Sequence, residues 1–166
     1  EGNKDEQIED GYMTVGKICQ DNGAFEVFVA ENRTDSAVMW NVRQNGLEGM
    51  RTKDPHACSS GDMMVPLSAV PEMLRRIDAA GREWGLEMGI IAHIGDGNIH
   101  PIPIKPEGIT PEKWAIYSEE FFEALIKEAI ELGGVGSGEH GVGHVKQHII
   151  TQSKSPAELD LLRGIK

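Results

Sequence analysis

Three histidines and a glutamate lie in two short segments whose residue types suit metal binding and proton transfer. His93 and His100 flank the Asp96-Gly97 pair, and Glu139 and His140 are neighbours in a glycine-rich tract. Two imidazoles and one carboxylate form a common open metal site, which leaves coordination positions for water or substrate. A further imidazole titrates near neutral pH and is suited to act as a general base. These residues therefore predict a metal site with a base beside it.

The segment around Asp96-Gly97 predicts a β-hairpin that brings the first two histidines together. An Asp-Gly pair between apolar flanks is a strong signal for a two-residue type I′ turn. In that register Gly95 pairs with Asn98, and His93 pairs with His100. The two imidazoles then lie directly opposite on one face, with Cβ atoms about 4.5–5.5 Å apart. Asn98 shares this face and adds a neutral amide.

Two prolines in the second strand support this register. Pro101 and Pro103 fall at positions where the hairpin needs no N–H donor, and a slip of one residue would place both at donor positions. They also indicate that the outer side of this strand is poorly paired, as at a sheet edge. The alternative for His93 and His100 is a cross-strand pair on a half-buried face, which is the commoner arrangement for two histidines alone.

The tract from Gly133 to Gly143 reads GGVGSGEHGVG and formally contains a GxGxxG pattern. A dinucleotide-binding fingerprint requires a strand that runs into the glycines, and here a long helical pattern precedes them. We therefore expect the glycines to let the backbone pass close to a ligand while they expose Glu139 and His140. The side chain of His140 is expected to point away from Glu139.

Two alternatives remain open for this tract. Glu139 also suits a carboxylate at a helix N-terminus, where it would interact with the helix dipole. His140, His144 and His148 fall at i, i+4 and i+8 if the following helix begins early. Such a stripe is either a second metal site or, more commonly, a set of ordinary surface or partly packed helix residues.

Hydrophobic periodicity predicts the elements that position these residues. Because a tight turn joins two of the strands, they must be antiparallel. The predicted class is α+β, an antiparallel sheet with helices packed on it, as in a ferredoxin-like cap-type domain. The expected elements are a helix from Asp5 to Asn22, a strand Ala24–Ala30, a helix capped by Thr34 or Asp35, a loop from Gly46 to Gly61, a short strand Asp62–Pro66, a helix capped by Ser68 with Met73, Leu74 and Ile77 buried, strands Glu87–Ile94 and Asn98–Ile104, a helix from Pro111 to Leu132, and further helices from Val142 and Pro156.

Composition narrows the classes of function. A chain of 166 residues has the length of a single domain. Its net charge of −11 argues against a nucleic-acid partner, because binding a phosphate backbone requires clustered Lys and Arg. The sequence contains no apolar run of membrane-spanning length, and its acidic N-terminus is not a signal peptide. Cys19 and Cys58 are expected to be reduced thiols of an intracellular protein. The first residue is not Met, so we expect a part of a longer protein.

Three segments resemble the C-terminal domain of FAD-linked oxidases that carry a vanillyl-alcohol-oxidase-type flavin domain. They are AHIGDGNIHP (92–101), GGVGSGEHGVGHVK (133–146) and the Asp62–Pro66 segment with the SAVPEML that follows. The family includes D-lactate dehydrogenases, the flavin subunit of glycolate oxidase and D-2-hydroxyglutarate dehydrogenase. The spacing of the segments also fits, so the resemblance covers nearly the whole chain, residues 1–166.

The resemblance implies a role for each matching residue. His93, His100 and Glu139 are implied to bind a divalent metal (zinc, manganese or iron), and His140 to be the catalytic base. Asn98 is implied to contact substrate. Arg43 matches an arginine near the substrate carboxylate, although a surface helix arginine is nearly as good an alternative. Lys146 matches a basic position whose role is not assigned.

The resemblance also implies the wider chemistry. FAD would be bound mainly by a domain outside this chain, and a small 2-hydroxyacid would be the substrate. An acceptor protein or a quinone would take the electrons. The protein would be cytoplasmic or peripheral to the inner membrane, and the resemblance is compatible with an oligomer. Two departures matter: Ser59-Ser60-Gly61 replaces a lysine found in hydroxyglutarate-type members, which favours lactate or glycolate, and the chain stops before the family's DPxxxxNPGK ending. The isolated chain is expected to be inactive. The alternatives are a stand-alone metal-binding or regulatory module and a structural domain with vestigial histidines.

Overall fold

The computed structural model describes residues 3–55, 57, 61–143 and 147–165. Within them the chain forms seven α-helices and a small three-stranded antiparallel sheet, which confirms the α+β class. The chain divides into two compact units, Glu1–Asn45 and Gly46–Lys166. Among the described residues, no helix is both long and apolar enough to cross a membrane.

The first unit holds two helices. Helix α1 spans Asp5–Asp21, and Gly23 follows its cap with φ +93°, as the sequence predicted. Helix α2 spans Arg33–Gln44. Its cap is Asn32, whose Oδ1 accepts hydrogen bonds from the backbone N–H groups of Thr34 at 2.9 Å and Asp35 at 3.0 Å. The prediction of a Thr34 or Asp35 cap was therefore wrong by two or three residues.

The strand predicted for Ala24–Ala30 is wrong. This segment has no ladder partner among the described residues, and the side chain of Phe25 is 99% exposed. Its apolar alternation matches a strand period, but an extended segment becomes a strand only when a neighbouring backbone supplies the hydrogen bonds. Cys19, at the end of α1, is an exposed free thiol, whereas Cys58 lies outside the described residues.

The second unit begins with a short helix where a loop was predicted. Helix α3 spans Gly46–Arg51, and an ion pair between Glu48 and Arg51 supports its single turn. Strand β1 follows as Met63–Met64 within the predicted segment. A 3-10 turn at Leu67–Ala69 then leads into helix α4, Val70–Glu83. Ser68 lies inside this turn and caps nothing, so that prediction was wrong.

Strands β2 (Glu87–His93) and β3 (Asn98–Ile104) form the predicted hairpin, and the sheet order is β1-β3-β2. The register differs from the prediction: His93 pairs with Asn98, and Ile91 pairs with His100. The turn therefore has four residues instead of two. Its Gly97 has φ +82°, and the Gly97 carbonyl accepts a hydrogen bond from the N–H of Val65, which directly follows β1.

The shift in register leaves the predicted faces unchanged. Side chains alternate along a strand with a period of two, and the shift is of two residues. His93, Asn98 and His100 therefore share one face, as predicted, but the two histidines are diagonal neighbours and not directly opposite. Strand β1 pairs only with Asn98 and Ile99, so Pro101 and Pro103 lie beyond it. The prediction that the outer side of β3 is poorly paired is therefore confirmed at the two prolines. β3 is nevertheless the central strand of the sheet and not an edge strand.

Helices α4 and α5 pack on the sheet face opposite the histidines. Helix α5 spans Pro111–Glu131 and ends before Gly133 at φ +80°, close to the prediction. Ile99 of β3 lies in the core, so its neighbours Asn98 and His100 face the other side. The buried core comprises Met63, Val65, Val70, Met73, Ile77, Leu86, Ile99, Phe121, Leu125, Ile126, Ala129 and Ile149, with Leu74 partly buried against it. The core thus gives the histidine strand a rigid backing.

Two helices end the described chain. Helix α6 spans Gln147–Ser153, and helix α7 spans Pro156–Ile165 as predicted. The helix expected from Val142 begins later, because residues 142–143 are not helical and residues 144–146 lie outside the described part.

A histidine and glutamate cluster as the candidate metal centre

His93, His100 and Glu139 converge, and their ligand atoms all lie within 4.8 Å of one another. Glu139 Oε1 is 3.0 Å from His100 Nε2 and 3.7 Å from His93 Nε2. Ligands at about 2.0–2.2 Å from one zinc ion in a tetrahedral site lie on the order of 3.4 Å apart. The two nitrogens and one oxygen therefore have the chemistry and the spacing of an open divalent-metal site.

The two histidines are held differently. His100 lies on the buried strand β3, and its side chain is 4% exposed. Its Nδ1 lies 3.0 Å from the carbonyl oxygen of Gly61. Since a carbonyl only accepts, Nδ1–H donates and Nε2 is left to face Glu139, which is the usual orientation of a metal-binding histidine. His93 ends β2 with its ring centroid 5.9 Å from that of His100, and its side chain is 41% exposed.

His140 joins this cluster and does not point away from it. Its Nε2 is 3.3 Å from Glu139 Oε1, and its ring centroid is 5.3 Å from that of His100. The prediction that His140 and Glu139 aim in different directions was therefore wrong. More than half of the His140 side chain is exposed, so its imidazole lies at the solvent side of the three converging groups.

The glycine-rich tract is a loop, which rules out a helix N-terminal role for Glu139 and agrees with the rejection of a dinucleotide fingerprint. Residues 137–140 are not helical and α6 begins only at Gln147, so Glu139 is not a helix N-terminal carboxylate. The tract follows α5, and Val135 forms only an isolated bridge with Met64, which is not the strand that a dinucleotide fold requires. Gly138 is needed for close approach, because a Cβ there would lie 2.4 Å from Asn98 Nδ2.

A buried carboxylate lies beneath this loop, and sequence reasoning gave it no role. Asp62 is 1% exposed. Its Oδ2 accepts from His140 N–H and from the Ser137 hydroxyl, both at 2.9 Å. The N–H of Glu139 reaches both oxygens at 3.2 and 3.3 Å, and Asn98 Nδ2 donates to Oδ1 at 3.1 Å.

The hydrogen bonds keep Asp62 ionised. Burial by itself raises the pKa of the Asp62 carboxyl, but the hydrogen bonds, with that of His140 N–H the strongest, outweigh burial and lower its pKa to about 2. A signal for this residue does exist in the sequence. A glycine-rich loop exposes backbone N–H groups that need acceptors, and Asp62 directly precedes the apolar pair Met63–Met64 of a buried strand.

Asn98 is a buried residue on the same face of the sheet as His93 and His100. It is 2% exposed, and its amide N–H is engaged by Asp62. Its Oδ1 is buried and has no hydrogen-bond donor among the described groups. Asn98 therefore lies in the predicted place, with one acceptor still to be satisfied.

The sequence also singled out Arg43, His144, Lys146 and His148. Arg43 belongs to α2 in the first unit, where its guanidinium carbon is 5.6 Å from the ring centroid of Trp40. His144 and Lys146 lie outside the described residues. His148 Nε2 is 3.0 Å from Glu123 Oε1 of α5, so this histidine is a partly packed helix residue paired with a carboxylate.

Comparison with known proteins identifies the family of this chain. The family model described as FAD linked oxidases, C-terminal domain, matches residues 1–166. D-lactate dehydrogenase of Archaeoglobus fulgidus is 35% identical over 152 residues, which cover 92% of this chain and 32% of that protein. D-2-hydroxyglutarate dehydrogenase of Xanthomonas citri pv. viticola is 26% identical, with 98% and 34% covered. Glycolate oxidase subunit GlcD of Bacillus subtilis is 26% identical, with 97% and 34% covered.

The chain spans about a third of the length of the curated relatives it matches. Its match to the family model nevertheless runs from end to end, and the resemblance inferred from the three segments is confirmed. The chain belongs to the FAD-linked oxidases, as a C-terminal domain of that family.

Proposed function

We propose that this chain is the metal- and substrate-binding part of an FAD-dependent 2-hydroxyacid dehydrogenase or oxidase. The observation that carries the proposal is the convergence of His93, His100 and Glu139, with His140 Nε2 3.3 Å from the carboxylate. The relatives named above are enzymes of lactate, hydroxyglutarate and glycolate, which all carry a hydroxyl beside a carboxylate. The absence of a lysine at Ser59-Ser60-Gly61 favours the smaller acids, lactate or glycolate.

His93, His100 and Glu139 would hold the divalent ion. A zinc, manganese or iron ion bound there supplies Lewis-acid chemistry, which lowers the pKa of a hydroxyl group that it contacts. His100 is the fixed ligand, because Gly61 holds its Nδ1–H and β3 buries its ring. His93 and Glu139, which are both partly exposed, can adjust to the ion and leave room for substrate.

His140 would act as the general base. It takes the proton of the substrate hydroxyl at Nε2, on the exposed side of the cluster. From there the proton can pass to water, since the imidazole is open to solvent. Asn98 would fix the substrate through its amide. The resemblance assigns Arg43, in the unit Glu1–Asn45, to the substrate carboxylate, and that role stays a prediction.

The flavin is assigned to another part of the protein. The glycine-rich loop lacks the preceding strand that a Rossmann-type dinucleotide site requires, so this loop does not fit such a site. The flavin named in the family's description would accept the hydride from the α-carbon of the substrate.

The test uses the intact protein that contains this chain, treated with a chelator and then supplied with Zn²⁺, Mn²⁺ or Fe²⁺. One of these ions should restore anaerobic bleaching of the flavin by D-lactate or glycolate. The double variant His93→Ala/His100→Ala should lose this response, whereas His148→Ala, outside the cluster, should keep it. Metal-independent bleaching at the wild-type rate in the double variant would contradict the proposal.

The alternative is a metal-binding module without flavin chemistry. One observation favours it: the cluster is formed by residues of a single unit, Gly46–Lys166. It predicts that the intact protein binds the ion but shows no flavin absorbance. A flavin-binding domain in the same reading frame decides against it.

A further inference from the structure

We propose that Asp62 is the positioning residue of this centre, which sets the backbone of Glu139 and His140 and thereby the aim of a metal ligand and of the base. This inference rests on the proposed function, since it assigns Asp62 to the same metal site. Asp62 is not itself a ligand in the cluster, and it acts from beneath the loop.

Glu139 and His140 need such support because packing does not provide it. Their side chains are about half exposed, and they lie in a non-helical loop among glycines. A loop of this kind has large conformational freedom, and ligand geometry is lost unless the backbone is fixed. Two successive N–H groups, those of Glu139 and His140, both donate to the one buried carboxylate.

A carboxylate suits this role and an amide does not. Asp62 receives donors from Ser137, Glu139, His140 and Asn98 on its two oxygens. An ionised carboxylate only accepts, on about four lone-pair sites, whereas an amide has a single acceptor oxygen and an NH₂ group that would face the donors. Replacement by asparagine therefore keeps the shape and breaks the arrangement.

Asp62 and its neighbour Gly61 together orient three of the four residues to which the proposed function assigns metal binding or proton transfer. The Gly61 carbonyl accepts from His100 Nδ1, and the Asp62 carboxylate accepts from the backbone of Glu139 and His140. Both lie just before β1, which is paired with β3 at Asn98 and Ile99. The loop is thus fixed to the strand that carries His100.

Charge supports the same assignment. The donors to Asp62 are all uncharged, so its negative charge adds to that of Glu139. A second negative charge, held against the backbone of the ligand residue Glu139, favours a divalent cation over a monovalent one. Loss of the Asp62 charge should weaken metal binding in the same direction as loss of the loop geometry.

The test compares Asp62→Asn with Asp54→Asn in the intact protein with its flavin, after chelation, with Co²⁺ as the probe. Asp54 is the matched control: it is 3% exposed and accepts the backbone N–H of Lys105 at 3.0 Å, outside the cluster. Affinity is measured by competition with a chromophoric chelator, and the visible Co²⁺ spectrum reports ligand geometry. Flavin absorbance and thermal unfolding verify the fold.

Asp62→Asn should bind Co²⁺ about 10- to 100-fold more weakly, with an altered spectrum, while Asp54→Asn binds as the wild type does. An unchanged affinity and spectrum in folded Asp62→Asn, or an equal loss in Asp54→Asn, overturns the role of Asp62 and leaves the proposed function standing. Failure of the wild-type protein to bind any Co²⁺ overturns both.

A second variant decides if Asp62→Asn does not fold. Gly138→Ala changes no polar group, but its Cβ would lie 2.4 Å from Asn98 Nδ2 and 3.1 Å from Asp62 Oδ1, so it lifts the loop from the carboxylate. A loss of Co²⁺ affinity of about 5-fold or more supports the assignment. Wild-type affinity in Gly138→Ala overturns it.

Discussion

Glu139 Oε1 lies 3.0 Å from Nε2 of His100, which joins a half-exposed loop residue to a histidine on a buried strand. Because Nδ1–H of His100 donates to the Gly61 carbonyl, the other ring nitrogen, Nε2, is the atom that faces the carboxylate. His93 Nε2 is 3.7 Å from the same carboxylate oxygen. The three atoms therefore converge as they would around one bound cation.

Glu139→Gln should weaken binding of the divalent ion by at least about 10-fold, because an amide oxygen is a poorer ligand than a carboxylate and the charge is lost. The melting temperature of the metal-free protein should change little, since the Glu139 side chain is 44% exposed. Isothermal titration with Zn²⁺ or Mn²⁺ measures the affinity. Glu123→Gln removes a carboxylate paired with His148 outside the cluster and should leave the affinity unchanged.

His140→Gln should separate catalysis from metal binding. Loss of a general base lowers kcat by about 10²- to 10⁴-fold, whereas the affinity for the ion should stay within a few-fold. Single-turnover reduction of the flavin in the intact protein gives the rate. A parallel loss of metal affinity would assign His140 to the ligand set instead, and His148→Gln serves as the histidine control.

Asp62 predicts a loss of stability in acid. The pKa of Asp62 is lowered from 3.8 to about 2 in the folded protein. The stabilisation that Asp62 provides is therefore complete above its unfolded-state pKa and is lost as the pH falls through its folded-state pKa. The free energy of unfolding of the metal-free protein should therefore drop by about 2 kcal/mol between pH 4 and pH 2 from this group. Urea titrations across this range measure it, and Asp62→Asn should remove that part of the slope.

Gly97→Ala should destabilise the hairpin, because Gly97 has φ +82° and an added Cβ would lie 2.1 Å from the carbonyl oxygen of Val65. The backbone must move, which costs on the order of 1–3 kcal/mol or more. Gly95→Ala is the matched control in the same turn, since nothing lies within 4 Å of its added Cβ. Equal free energies of unfolding for the two variants would show that the close approach is unimportant.

Local patterns predicted the hairpin face, while its register depended on a distant residue. The alternation in β2 and β3 placed His93, Asn98 and His100 together, and this holds because the error was of two residues. The turn itself has four residues, and its Gly97 carbonyl accepts the N–H of Val65, which directly follows β1. Such a contact leaves no trace in the local sequence.

Other differences have the same origin. The alternation over Ala24–Ala30 satisfied a strand pattern without a partner strand, and Phe25 is exposed. The sequence analysis gave Asp62 no functional role, because its partners Ser137, Glu139 and His140 come much later in the chain. Residue types predicted the candidate groups, and only the tertiary contacts show what holds them in place.

The span of these contacts bears on the order in which the protein folds. His93 and His100 are brought together by a local hairpin, whereas the bonds from Asp62 to Glu139 and His140 join residues 77 and 78 positions apart. Contacts between distant residues form only after the entropy of closing a long loop has been overcome. We expect pulse-labelled hydrogen exchange to show protection at the hairpin before protection at Glu139 and His140. The two histidines would then be in place first, and Glu139 would join them only after the long-range contacts with Asp62 have formed.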